Sequence, residues 1–71
     1  MLIKDLKKNT YKKQKIEMFV YPNKKTGFGG FMKTYIARRI PKKYDNLEVV
    51  YWATEYRNDV GCVLVVDCKQ H

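Results

Sequence analysis

The segment Cys62-Val63-Leu64-Val65-Val66-Asp67-Cys68 decides the fold, because it holds the longest uninterrupted apolar run of the chain. Apolar side chains at nearly every position predict a strand that is buried on both faces. The run is far shorter than the roughly 20 residues that a membrane span requires. We therefore expect residues 62–68 to be the last strand of a soluble domain that has no contact with a membrane.

A further strand precedes this segment and is joined to it by a turn at residues 57–61. The alternating pattern over residues 47–56 is typical of a strand. It places on one face Leu47, Val49, Tyr51 and Ala53, and on the other face Val50, Trp52 and Tyr56. The two strands and their turn predict a hairpin.

The first half of the chain shows the same succession of a helix and a hairpin. Apolar spacing predicts a helix that begins at Leu2 and stops at Asn9. The elements predicted after it are a strand over residues 16–21, a turn over 22–27, a strand over 31–37 and a short helix over 42–46. We expect a single α+β domain over residues 1–71, with a four-stranded antiparallel sheet of two hairpins and one or two short helices.

The chemistry of the side chains argues against an enzyme. A chain of 71 residues has few apolar side chains, and a stable core needs most of them, so few remain to line a deep cleft. It has no serine, and its one histidine, His71, stands at the end of the chain, where termini fray. The later carboxylates lie on different elements without a spacing that predicts a paired site. We expect no catalytic residues and no cofactor.

The two cysteines are expected to be reduced. Cys62 and Cys68 are six residues apart on one predicted strand, about 20 Å, whereas a disulfide needs a Cα separation below about 7 Å. Free thiols indicate a cytoplasmic protein. Together with His71 the cysteines form C-x5-C-x2-H, but the same geometry keeps the first of them away from a shared zinc ion. We favour buried apolar thiols over a metal site.

Charge is distributed unevenly along the chain. Residues 1–43 carry a net charge of +11 and residues 44–71 a net charge of −3, within a total of +8. Many basic residues come in adjacent pairs, which predicts positions on loops and element ends. Such a field favours an anionic partner, either nucleic acid or an acidic protein surface. The alternative is a surface that serves only solubility, since 12 lysines outnumber 3 arginines.

Residues 25–35 interleave aromatic rings with glycines and lysines, as base-stacking surfaces do. The stretch resembles the ribonucleoprotein motif of RNA-recognition domains and the glycine-phenylalanine strand of cold-shock proteins. The structural alternative is a flexible hairpin arm whose phenylalanines pack on a neighbour. The expected binding face, for nucleic acid or an acidic protein surface, comprises Lys12, Lys13, Lys24, Lys25, Phe28, Phe31, Lys33, Tyr35, Arg38, Arg39, Lys42 and Lys43.

Several segments together resemble the small accessory proteins of phages and prophages of low-GC Gram-positive bacteria. They are Leu2-Ile3-Lys4-Asp5-Leu6, Ile16-Glu17-Met18-Phe19-Val20, the stretch 39–50 and Val63-Leu64-Val65-Val66. Polypeptides of this group include anti-CRISPR proteins, which bind and block a host complex. The resemblance implies a non-enzymatic anti-defence inhibitor in the host cytoplasm, whose partner is a host protein or ribonucleoprotein complex. Direct binding of single-stranded or duplex nucleic acid is the alternative.

A second copy of the chain is also an expected partner. The final strand is apolar on both faces, so one of its surfaces is expected to be covered by another copy.

Overall fold

The computed structural model describes residues 1–70, which fold as one helix and a four-stranded sheet. The helix is α1 (Ile3–Asn9), and the strands are β1 (Lys15–Val20), β2 (Phe31–Ile36), β3 (Glu48–Arg57) and β4 (Gly61–Lys69). Two 3₁₀ turns, Ala37–Arg39 and Lys42–Tyr44, lie between β2 and β3. The α+β class is confirmed. Among residues 1–70, no helix has the length and apolarity to cross a membrane.

The sheet is mixed, so the expectation of a fully antiparallel sheet is wrong. The strand order is β2-β1-β4-β3, and the two antiparallel hairpins meet along a parallel pair, β1 with β4. The cause is the connection over residues 37–47. It carries the chain from the end of β2 back along the sheet, so that β3 starts at the opposite end. The second 3₁₀ turn, Lys42–Tyr44, lies where the sequence predicts a short helix over residues 42–46.

The core lies on one face of the sheet, beneath α1 and the connection. Alternate residues of β1 and β4 point into it: Ile16, Met18, Val20, Leu64, Val66 and Cys68. The covering layer contributes Ile3 and Leu6 from α1 and Ala37, Ile40, Tyr44 and Leu47 from the connection. Full burial of an aliphatic side chain contributes about 1.5–3 kcal/mol. The apolar alternation in β1 and the unbroken apolar run in β4 are therefore the main source of stability.

The N-terminal residues fasten the covering layer to the start of β3. The amide of Ile3 donates to the Leu47 carbonyl oxygen at 2.9 Å, and the amide of Val49 donates to the Met1 carbonyl oxygen at 2.8 Å. Leu2 forms a bridge with Glu48, and its amide donates to the Asp5 carboxylate at 3.0 Å. The first residues of β3 are thus covered on their outer side.

A β-bulge changes the faces of β3. The pairing with β4 shifts between Val49, opposite Cys68, and Tyr51, opposite Asp67. The extra residue, Val50, reverses the alternation, so Trp52 and Val49 lie on the same side of the sheet. The prediction that Tyr51 and Ala53 share a face with Val49 is therefore wrong, because residue spacing alone does not reveal a bulge.

Gly29 and Gly30 offer a matched pair of substitutions. Both have a left-handed φ, +93° and +78°, which costs an alanine about 1–2 kcal/mol. A Cβ at Gly29 would overlap the Tyr21 carbonyl oxygen, whereas at Gly30 it would meet only Pro22 Cβ at 3.6 Å. We expect Gly29→Ala to lower the free energy of unfolding by about 1–3 kcal/mol more than Gly30→Ala, by urea denaturation. Equal losses would contradict the close approach of Gly29 to residue 21.

Candidate interaction surface

Two segments meet at the end of the sheet where β1 begins and β2 stops. The amide of Ala37 donates to the Gln14 carbonyl oxygen at 2.9 Å, and the amide of Arg38 donates to the Lys12 carbonyl oxygen at 3.1 Å. Gln14 Nε2 donates to the Cys62 carbonyl oxygen at 3.1 Å and ties the same loop to β4. These contacts gather four exposed basic residues, which we call the basic end surface: Lys12, Lys13, Arg38 and Arg39.

The basic end surface has no neutralising carboxylate within ion-pair distance among residues 1–70. Most acidic residues are engaged elsewhere. Lys7 Nζ lies 2.8 Å from Asp45, Arg57 bridges Glu17 and Glu55, and Lys69 lies 3.9 Å from Glu48. The hydrogen bonds with Glu17 and Glu55 raise the pKa of Arg57. The positive field of the basic end surface is therefore available to a partner.

The other predicted basic residues lie apart from this surface. Lys24 and Lys25 follow β1 and so lie at its far end, where they line a shallow depression with Lys69. Their turn is held by Asn23 Oδ1, which accepts from the amide of Lys25 at 2.9 Å. Lys33 lies on β2 opposite Met18. The predicted face is therefore not one continuous surface.

Lys42 and Lys43 lie on the second 3₁₀ turn, and both are exposed. The ammonium group of Lys43 lies 5.2 Å from the centre of the Tyr44 ring, within range of a cation–π contact. Lys43 also lines a depression with Thr26 and Gln70. This places it toward the same end as the turn that carries Lys24 and Lys25.

The three aromatic residues of the predicted face pack together rather than standing free. Phe28, Phe31 and Tyr35 are partly buried against the core, with ring centres 6.3, 6.0 and 6.3 Å from that of Tyr44. Burial, followed by the hydrogen bond and charge of Tyr44, raises the pKa of Tyr35. Local pattern does not reveal that Tyr44 gathers these rings, because residue 44 is distant in sequence from residues 28–35.

Tyr11 was not predicted as part of the site. It immediately precedes Lys12, its side chain is 70% exposed, and its carbonyl oxygen accepts from the amide of Gln14 at 2.9 Å. An exposed aromatic ring beside a lysine pair is a usable contact for a partner. The only sequence signal was its adjacency to Lys12 and Lys13.

The two thiols differ in their surroundings. Cys68 is buried in the core, whereas Cys62 is exposed, so the expectation of two buried thiols is wrong for Cys62. The pairing of β4 with β1 begins only at Leu64, so residue 62 projects beyond β1. His71 lies outside the described residues, and residues 1–70 contain no cluster of three metal-ligating side chains.

Burial, with a smaller effect of Asp67, raises the pKa of Cys68 from 9.0 to about 11. The folded protein therefore holds this proton at a pH where the unfolded chain releases it. The resulting contribution to stability is intact below pH 9.0 and is lost progressively as the pH rises to about 11.

The rate of alkylation should distinguish the two thiols. At about pH 8, iodoacetamide should modify Cys62 of the native protein at least about 10-fold faster than Cys68, because only an accessible thiolate reacts. The measurement is peptide mass spectrometry over time. Unfolding in urea is the control and should equalise the two rates. Equal rates in the native protein would contradict the burial of Cys68.

Comparisons of this chain with protein-family models, with curated proteins and with solved structures give no match.

Proposed function

We propose that this chain is a non-enzymatic protein that binds and blocks a macromolecular complex of a host cell, as phage-encoded anti-defence proteins such as anti-CRISPR proteins do. The observation that carries the proposal is the basic end surface. Its four cations are exposed and have no carboxylate within ion-pair distance among residues 1–70. Such a surface attracts an anionic partner and accelerates association with it.

The backbone around these cations is already ordered. Hydrogen bonds from the amides of Ala37 and Arg38 hold the loop that carries Lys12 and Lys13. A surface whose backbone is fixed before binding loses less conformational entropy on association. Two of the four cations are arginines, whose planar groups can form paired hydrogen bonds with carboxylates.

The carboxylates support a binding role rather than a catalytic one. Glu17 accepts from Arg57, Asp45 from Lys7, and Asp67 from the Tyr21 hydroxyl at 3.3 Å. These contacts join separate elements of the fold. Each such carboxylate is therefore accounted for by a structural contact.

An acidic protein surface is the partner that the geometry favours. Base stacking needs free aromatic faces beside the cations. Phe28, Phe31 and Tyr35 pack around Tyr44 instead and lie partly buried. The exposed ring of Tyr11 beside Lys12 is a single contact and not a surface on which successive bases stack. We therefore take direct binding of nucleic acid as the alternative outcome of the test.

Two variants with the same charge change test the surface. The first neutralises it with Lys12→Gln, Lys13→Gln, Arg38→Gln and Arg39→Gln. The matched control neutralises the other end with Lys24→Gln, Lys25→Gln, Lys42→Gln and Lys43→Gln. Each protein is immobilised and exposed to nuclease-treated lysate of a low-GC Gram-positive bacterium. We expect the first variant to capture at least about 10-fold less of the proteins that the wild type captures, and the control to capture as much as the wild type. A 10-fold loss of affinity corresponds to about 1.4 kcal/mol.

Circular dichroism should show that both variants fold. Equal retention by the two variants, or equal loss from both, would contradict a role specific to the basic end surface. The alternative is tested by fluorescence anisotropy with labelled single-stranded RNA, single-stranded DNA and duplex DNA at about 50 and 200 mM salt. Binding with a steep salt dependence would replace the inhibitor proposal with a nucleic-acid-binding function.

A further inference from the structure

The outer side of β3 is an open sheet edge. β3 pairs with β4 on one side only, since it ends the strand order. Its first residues are covered by the N-terminus through the bridge of Leu2 with Glu48 and the bond from the amide of Val49 to Met1. The bulge at Val50 follows, and residues 51–57 then pair regularly with β4. These seven residues leave alternate backbone N–H and C=O groups without a strand partner.

This edge has less of the protection that keeps sheet edges apart than the opposite edge has. Lysine and other charged side chains, proline, bulges and short length are the usual protections. Here they are limited to the bulge at Val50 and to one residue of each charge, Glu55 and Arg57. The opposite edge, β2, has only six residues and carries Lys33 near its middle. Residues 51–57 contain neither lysine nor proline. They expose aromatic rings instead, with Tyr51 54%, Trp52 54% and Tyr56 69% exposed.

The open stretch is complementary to itself. Its midpoint is Thr54, so an antiparallel copy with a two-fold axis there pairs all seven residues. Each residue then meets one that points to the same face of the sheet. Trp52 meets Tyr56 of the second copy, Tyr51 meets Arg57, and Thr54 meets Thr54. Aromatic pairs and threonine pairs of this kind stabilise neighbouring strands, while the Arg57 guanidinium stays paired with Glu17 and Glu55.

Two other positions of the axis are less favourable. An axis at Glu55 would place two carboxylates directly opposite each other, which is destabilising. An axis at Trp52 would run the second copy into the bulge at Val50. With the axis at Thr54, Glu55 meets Ala53 and no like charges are directly opposed.

We propose that two copies of the chain pair antiparallel through β3 about a two-fold axis at Thr54 and form one continuous sheet. An axis perpendicular to the sheet keeps both α1 layers on the same side, and the dimer carries two basic end surfaces. The sequence predicts a second copy against one face of the final strand. The contact proposed here is instead on the open edge of the adjacent strand β3, since β4 lies between β1 and β3.

Sedimentation equilibrium of the full chain tests the pairing. We expect the wild type to approach twice the 8.5 kDa of one chain at concentrations of about 100 µM. Thr54→Lys places two ammonium groups directly opposite each other and should weaken the dimer at least about 30-fold. The matched control is Asn58→Lys, which adds the same charge at the exposed hairpin tip, outside the paired stretch. It should leave the mass of the wild type unchanged.

Charge complementation keeps the test independent of a folding defect. Thr54→Glu alone should also be monomeric, and an equimolar mixture with Thr54→Lys should restore the dimer mass. A wild-type monomer at the highest concentration would overturn the proposal. So would a dimer that Thr54→Lys leaves intact, or a mixture that stays monomeric, since each places the contact away from residue 54.

Discussion

The parallel pairing of β1 with β4 is the constraint on which the rest of the structure depends. It places Ile16, Met18 and Val20 beside Leu64, Val66 and Cys68 on one face. Parallel neighbours cannot be joined by a tight turn, so the chain must return along the sheet between its two hairpins. That return, residues 37–47, is the segment that covers the core together with α1.

The same segment produces the basic end surface. Ala37 and Ile40 turn inward to the core, while Arg38 and Arg39 remain exposed. The backbone of Ala37 and Arg38 is also where the loop of Lys12 and Lys13 attaches. The apolar half of this turn fixes the layer that closes the core, and its basic half meets solvent. This short stretch of chain therefore both closes the core and presents basic side chains to solvent.

The covering layer is shorter than the sheet, and this leaves the far half of β3 uncovered. Val49 and Trp52 lie on the same side of the sheet, yet Val49 is 8% exposed and Trp52 54%. Exposed aromatic rings on an open edge favour association, whereas the basic end surface favours long-range attraction. The chain therefore separates its apolar and its charged contact areas across the width of the sheet, since β3 is one edge strand and the basic end surface lies where β1 begins and β2 stops.

The positions of the strands could be predicted from local pattern, because alternation in β1 and the apolar run in β4 reflect which side chains leave water. The turn at residues 57–61 could likewise be predicted from its own residues. Strand direction, the bulge at Val50 and the gathering of rings around Tyr44 were decided only by the tertiary structure. Each depends on residues that are distant in sequence. Neither a crossover connection nor an added residue produces a periodic pattern of apolar residues from which it could be predicted. For the same reason the sequence alone identified the basic pairs, while the fold determined which of them lie together.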